Sequence, residues 1–275
     1  MKHLVITGGT DGIGAALARH RLALGDRVAV VGRDRAKGEA LAGLGAHFIP
    51  ADLALVAENR RVAAELADRY DRIDAVVMGA RYFRTHRHET SDGFEACFAL
   101  EYLSRFLLGR DLLASLERAE APLIVNLSGP GLAKPEIRWD DPGLRRGYSG
   151  PAAQMQAGRA NDLLGLAFAA RRPRARTRYA LVNPGPVATS FAGEYDPPTA
   201  AFVSQMKRTA RPVADLVPPL SALIDEPPAE PLSAFEIDRP VDPRTTPGDD
   251  AAADRLHRLT LDLLGEEDSR RPPVP

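Results

Sequence analysis

The sequence predicts an α/β fold: one doubly wound parallel sheet with helices on both faces, three layers in αβα order. Three observations carry this expectation. Short apolar runs alternate with helix-period segments along most of the 275 residues, the pattern of strands joined by helical crossovers. The runs are apolar without alternation, as in Val28-Ala29-Val30-Val31, which suits strands buried on both faces. The first run, Leu4-Val5-Ile6-Thr7, passes straight into a glycine-rich turn, Gly8-Gly9-Thr10-Asp11-Gly12-Ile13-Gly14. A helix-period segment (Ala15, Ala16, Leu17, Leu22, Leu24) leaves that turn.

Strands are expected at 3–7, 27–32, 46–50, 73–78, 123–127 and 178–182, with helices near 12–24, 34–44, 54–69, 92–116 and 152–170. Within the last of these, Leu163-Leu164-Gly165-Leu166-Ala167-Phe168 is apolar nearly all round, so that helix is central or lies in a subunit interface. Beyond about residue 190, Pro197-Pro198, Pro218-Pro219, Pro227-Pro228 and Pro231 are expected to break the chain into short pieces. One more strand is expected at 232–237 and a last helix at 250–264. There is no internal repeat and no sign of a second core. Residues 1–268 therefore read as a single Rossmann-like nucleotide-binding domain, and 269–275 as a disordered tail.

Composition narrows the function classes. A net charge of −1 points to neither nucleic acid nor an anionic membrane as partner. Only Lys2, Lys37, Lys134 and Lys207 of the 36 basic residues are lysine, a base-composition bias. The run Arg171, Arg172, Arg174, Arg176 and Arg178 follows a long helix, where cations suit the dipole. Cys97 is the single cysteine and is expected as a small buried residue in a reducing compartment. No leader or membrane-length apolar run is evident, so a cytoplasmic protein acting on a small molecule is expected.

The glycine turn names a cofactor class. Gly8, Gly12 and Gly14 let the backbone approach a pyrophosphate, and the helix start behind them offers free N–H groups to an anion. The second strand ends in Gly32-Arg33-Asp34-Arg35. An acid directly after the strand would accept from both ribose hydroxyls and repel a 2′-phosphate. Arg33 would pair with that phosphate, so NADP (NADPH) is expected, with NAD the less favoured choice; a solvated surface arginine is the competing reading. Two histidines stand in Arg84-Thr85-His86-Arg87-His88-Glu89, but an arginine-studded loop repels cations, and no metal site is expected.

On these motifs the chain resembles the short-chain dehydrogenase/reductase family over nearly its full length, in spacing its retinol-dehydrogenase-like branch. Thr7 to Gly14 matches the family's cofactor turn, and Asp52-Leu53 the pair that contacts adenine. Asn183-Pro184-Gly185-Pro186-Val187-Ala188-Thr189 matches the segment bracketing the nicotinamide, with Pro184, Gly185 and Val187 lining it and Thr189 on the carboxamide. The element after the fourth strand is altered to Met78-Gly79-Ala80, with Gly79 kept on the cofactor side. The resemblance also implies that the helices at 92–116 and 152–170 are those that build homodimers in many members, although the branch it resembles is often less associated, which leaves the oligomeric state open.

The catalytic half departs from the family. Members place an Asn, a Ser, a Tyr and a Lys four residues after that Tyr around the nicotinamide. The Tyr moves the proton that accompanies hydride transfer, the Lys lowers its pKa and holds the ribose, and the Ser polarises the substrate oxygen. Glu101 stands where the Asn belongs, and Ser128 falls one place early, leaving Gly129 at the catalytic position. Setting Gly158-Arg159-Ala160-Asn161 against the family's Ser-Lys-x-Ala-Asn puts Met155 at the Tyr and Arg159 at the Lys, where Arg159 would hold the ribose. Tyr148 is the alternative phenol, but Ala152 follows it four residues on and Pro151 lies between.

Candidates for a replacement acid are Tyr148, Glu101, Tyr82, His86 and His88. Trp139 either lines the substrate pocket or covers its loop. A general acid contributes about 10²–10⁴ in rate, and positioning a hydride donor about 7–11 kcal/mol, so loss of the Tyr alone need not abolish redox chemistry, whereas loss of Tyr, Ser and Lys together disfavours efficient standard carbonyl reduction. Three functions follow: an oxidoreductase with an altered proton relay, acting on a carbonyl, alcohol, alkene or imine; a nucleotide-binding sensor or partner protein without turnover; or a non-redox dehydrating or cyclising enzyme that keeps the cofactor as scaffold.

Overall fold

Strand side chains alternate between two apolar layers, and this period-two burial builds the core. The computed structural model describes residues 1–268; the expected tail at 269–275 lies outside the described residues. In chain order the elements are β1 (His3–Thr7), α1 (Gly12–Ala23), β2 (Arg27–Gly32), α2 (Arg35–Ala42), β3 (His47–Pro50), α3 (Val56–Arg69), β4 (Ala75–Met78) and β5 (Phe83–Arg84). Next come α4 (Ala96–Phe98), a π-helical turn (Ala99–Leu103), α5 (Ser104–Asp111), α6 (Leu113–Leu116), β6 (Leu123–Leu127), α7 (Gly150–Arg171) and β7 (Arg178–Asn183). The chain continues through β8 (Gly193–Glu194), α8 (Pro197–Thr209), a 3-10 turn (Val213–Leu216), α9 (Val217–Asp225), β9 (Leu232–Glu236), β10 (Arg239–Pro240) and α10 (Asp249–Leu264).

Among the described residues, eight strands form the main sheet in the order β10-β9-β7-β6-β4-β1-β2-β3. All neighbours are parallel except β9 and β10. Leu4, Ile6, Val30 and Val125 pack with Leu17 of α1, Leu41 of α2 and Leu220 of α9. Val5, Val31, Met78 and Ile124 pack on the other face with Val62 of α3, Phe106 of α5, Leu163 of α7 and Leu256 of α10. The strand order turns back on either side of β1, so the carboxyl edge between β1 and β4 is a topological switch point, where open α/β sheets bind ligands.

Two expectations need correction. The helix expected at 92–116 begins only at Ala96, because Glu95 is its N-cap and accepts from the N–H of Cys97 at 2.9 Å and of Phe98 at 2.8 Å. It then widens into the π turn that carries Glu101; such turns are frequent at functional sites. The proline pairs start helices rather than break them. Pro197-Pro198 fill the first positions of α8 behind the Asp196 cap, and Pro218-Pro219 the first turn of α9, where a missing N–H has no intrahelical partner to lose. One face of α7 is covered within the chain. α10 packs along α7, whose Leu163, Leu164, Leu166 and Phe168 are all buried. Tyr102 and Thr260 share a hydrogen bond of 2.6 Å across the same junction.

Cys97 is buried, as expected. Among the described residues, no helix is long and apolar enough to cross a membrane, and no group of His, Cys, Asp and Glu could hold a metal ion.

Candidate functional site

The glycine turn has the shape its sequence requires. Gly8 sits at φ +65°, and a Cβ there would lie 2.8 Å from both Ala80 N and Gly79 O; a Cβ on Gly14 would overlap Gly8 O. Gly79 N–H donates to Thr7 O at 3.1 Å, tying the turn to the end of β4. Thr10 packs on Gly32, and Ile13 on the α1 side of the core. α1 starts at Gly12, whose N–H donates to its cap, Asp11, at 2.7 Å. Bare backbone in front of a 12-residue helix fits a pyrophosphate. Asp11 adds a negative charge, which Lys37 Nζ meets at 2.6 Å. Burial pushes the Asp11 carboxyl up, but the hydrogen bonds from Lys37, Ser190 and Gly12 outweigh it and hold the group below its usual range.

The adenosine side lies over β2 and β3. The Arg33 guanidinium stacks 4.7 Å from the Tyr82 ring centre and stands 4.0 Å from Asp52. Arg84 approaches the same ring at 4.5 Å. Asp34 is occupied as the α2 cap, accepting from Lys37 N–H at 3.1 Å. Leu53 is buried in the core, so of the Asp52-Leu53 pair only Asp52 presents its side chain to the crevice. Sequence reading missed Lys37, whose place one turn into α2 was the available signal.

On the far side, Gly185 sits at φ +65° and donates its N–H to Asn183 Oδ1 at 3.0 Å, turning the chain after β7 at Pro184. Val187 is buried and bridged to Arg211. Thr189 reaches the glycine turn: its Cγ2 lies 2.8 Å from where a Gly12 Cβ would stand. Beyond it, β5 and β8 pair as a small parallel sheet that joins the loop after β4 to the segment after β7. Phe83 and Tyr195 stack across this sheet at 5.4 Å.

At the expected reacting centre the structure gathers Glu101, Gln154 and Arg81. Gln154 Nε2 donates to Glu101 Oε1 at 2.7 Å, and Arg81 Nε donates to Gln154 Oε1 at 2.7 Å. Arg81 Nε also stands 3.7 Å from Glu101 Oε2. Met155 is therefore corrected: α7 turns Gln154, one residue earlier, toward Glu101. The readable signal was helical spacing, since Gln154, Gly158 and Asn161 fall at i, i+4 and i+7 on one face.

Arg159 is corrected as well. Its side chain, 1% exposed, turns away to Asp249 Oδ1 at 2.5 Å and Thr245 Oγ1 at 2.9 Å. It docks α10 and the preceding loop onto α7. Burial pushes the Asp249 carboxyl up, but the hydrogen bonds from Arg159, Thr246 and Thr245 hold it far below the usual carboxylate range.

Other candidates also have structural partners. Tyr148 donates its hydroxyl to Arg84 O at 3.1 Å, packs among Leu144, Ala152 and Ala153, and has its phenol pushed up by burial and by Glu95. Ser128 Oγ donates to Asn126 O at 3.4 Å. Trp139 packs on the core beneath Arg255, 4.3 Å away, and so covers its loop. Lys134, which sequence reading passed over, runs across Gly158, its Cε 3.1 Å from where a Cβ would sit. Its ammonium reaches Asp162 at 2.6 Å, with side chains 3% and 1% exposed, and also donates to Gly129 O.

Beneath the centre, Arg105 donates to Asn126 Oδ1 and, at 2.7 Å, to Leu127 O. Asn126 Nδ2 donates to Asn161 Oδ1 at 2.9 Å, and Asn161 Nδ2 to Glu101 O at 2.7 Å. This chain of bonds fixes the π turn, and with it the Glu101 carboxylate, against β6 and α7.

A family model described as short chain dehydrogenase matches residues 2–139. A candidate daunorubicin C-13 ketoreductase, DnrU, of Streptomyces sp. (strain C5) is 31% identical over 96% of this chain and 92% of its own length. Retinol dehydrogenase 14 of Mus musculus is 29% identical over 69% of this chain, and the match spans only 62% of that protein. Among solved structures, an uncharacterized protein from Mycobacterium paratuberculosis superposes with a TM-score of 0.73 at 24% identity, covering 97% of this chain and 94% of that one. A short-chain dehydrogenase from Shigella flexneri 2a, complexed with NADP, gives 0.67 at 19% identity, covering 86% and 96%. With its switch-point glycine turn and these matches, the chain belongs to the short-chain dehydrogenase family of oxidoreductases.

Proposed function

We propose that the chain is an NADP(H)-binding oxidoreductase whose hydride chemistry runs without the tyrosine–lysine relay of its family. One observation carries the cofactor half: a side-chain-free glycine turn at the head of α1, flanked on its adenosine side by the cations Arg33 and Lys37. Gly8, Thr10, Gly12, Ile13 and Gly14 would hold the pyrophosphate, Arg33 and Lys37 the 2′-phosphate, Asp52 the adenosine side, and Gly185 and Thr189 the nicotinamide side. Fixing the family's Ser-Lys-x-Ala-Asn on Asn161 places Gly158 at the Lys and Gln154 at the Tyr. An amide cannot supply a proton.

When bound, the cofactor supplies a hydride; the chain's residues supply position and charge. Gln154 pins Glu101 Oε1, and Oε2 is left as the oxygen that can hold and move a proton. As a carboxylate Glu101 favours a cationic acceptor such as an iminium, and with Oε2 protonated it can deliver the proton that an activated C=C bond needs after hydride addition, so activated C=N and C=C bonds suit the site better than a simple ketone. The likeness to the Streptomyces protein adds an anthracycline-type ketone to the substrates worth testing. The single buried cysteine suits a reducing, cytoplasmic setting.

The test is stopped-flow absorbance at the reduced nicotinamide band, with the NADPH-loaded protein mixed against aldehyde, iminium, enone and anthracycline-type ketones. Oxidation of NADPH by the iminium or enone is expected. If bound NADPH survives every acceptor, the nucleotide-binding protein without turnover becomes the better reading. The mutual contacts of Arg81, Gln154 and Glu101 favour that second reading.

A further inference from the structure

We propose that Arg81 is the working cation of the reacting centre: its guanidinium binds the nicotinamide-ribose half of the dinucleotide, the part expected of Arg159. The proposal rests on the cofactor reading above and names the residue that completes it.

Among the described residues, the other basic groups placed around Gln154 are committed elsewhere. Arg159 is buried on Asp249. Lys134 is buried on Asp162, with Gly129 O and Leu132 O as further acceptors. Arg105 lies beneath the site on Asn126, Leu127 O and Ala80 O. Arg84 pairs with Glu194 at 3.6 Å and stacks on Tyr82. Arg81 differs from all of these, with a side chain 64% exposed at the carboxyl edge of the sheet.

Its orientation is also set. Both polar contacts, to Gln154 Oε1 and Glu101 Oε2, are made by Nε, which leaves the fork of terminal N–H groups facing outward. The chain divides at this point. Tyr82 sends its ring to Arg33 on the adenosine side, whereas Arg81 reaches Gln154 on α7, behind β6 and β7. A nucleotide laid across the switch point with its adenosine over β2 has its other ribose on the Arg81 side. A planar fork of donors suits vicinal hydroxyls and a neighbouring phosphate oxygen. Because a guanidinium keeps its proton at any working pH, Arg81 can attract and orient but cannot relay a proton, which agrees with the loss of the tyrosine.

Calorimetric titration of the full chain with NADPH, and separately with adenosine 2′,5′-bisphosphate, tests this. The second ligand keeps the adenosine and its 2′-phosphate but lacks the nicotinamide and its ribose. Arg81→Met is expected to weaken NADPH about 10- to 100-fold, the worth of a charge-assisted hydrogen bond, and to change the bisphosphate by less than about twofold. Arg81→Lys should fall between, and the circular dichroism of both variants should match the parent. Equal losses for the two ligands, or no loss for NADPH, would overturn the proposal. If the parent binds the bisphosphate and holds NADPH no tighter, the adenosine half of the cofactor reading stands and the Arg81 proposal falls. If the parent binds neither, the cofactor reading itself fails and takes this proposal with it.

Discussion

Gly14 has no room for a methyl group, because a Cβ there would overlap the carbonyl oxygen of Gly8. Gly14→Ala should destabilise the chain by about 1–3 kcal/mol, the usual cost of overpacking, and weaken NADPH, read by urea titration and calorimetry; unchanged values in both would contradict the cradle. Arg33 is tested by preference. Arg33→Asp should weaken NADPH and strengthen NADH in parallel titrations, and an unchanged ratio would assign Arg33 to the Tyr82 stack alone. At this scale the sequence was legible where backbone dictates the residue, as at Gly8 and Gly14. It was less legible where a side chain chooses a partner. Arg159 was read from its place in a motif, but a buried carboxylate 90 residues further on, Asp249, claims it. Arg81 gave no sequence signal, since only the fold brings it to Gln154.

The elements followed the hydrophobic period closely, from β1 to α10. The misjudged ones were decided by caps: Glu95 delays α4, and Asp196 turns Pro197-Pro198 into a helix start. β5 and β8, at two residues each, are too short to show any period. The docking of α10 carries two predictions. Asp249→Asn removes the partner of a buried guanidinium and should cost about 3–5 kcal/mol in urea unfolding; a change near zero would show that α10 docks by apolar contact alone. His257, packed at 5.3 Å against Phe106, is pushed down from 6.5 to about 4 by burial and by Arg171 and Arg172. The unfolded chain therefore takes up this proton first on acidification. Stability is full above about pH 6.5 and falls by up to about 2 kcal/mol as the pH drops toward 4. His257→Phe should flatten that slope; an unchanged slope would assign it to other groups.

At the scale of the whole molecule, α10 packs along α7 and helps to bury its apolar face. Light scattering behind size exclusion should give the mass of one chain, 29.7 kDa, and a dimer would show that another face associates. The doubly wound sheet and its switch point were readable from the alternation of runs, but the closure of its crevice was not. That closure depends on Thr189 and β8 folding back over the glycine turn and β5, contacts between segments far apart in sequence, which no local pattern records. On the function proposed above, this crevice still receives a nicotinamide nucleotide while its proton relay has been replaced. A crystal structure of the protein with NADPH decides the matter. The expected result is the pyrophosphate on the backbone of Gly8 to Gly14, with the reacting carbon beside Gln154, Glu101 and Arg81; an empty crevice, or a tyrosine hydroxyl and a lysine amine at that carbon, would contradict it.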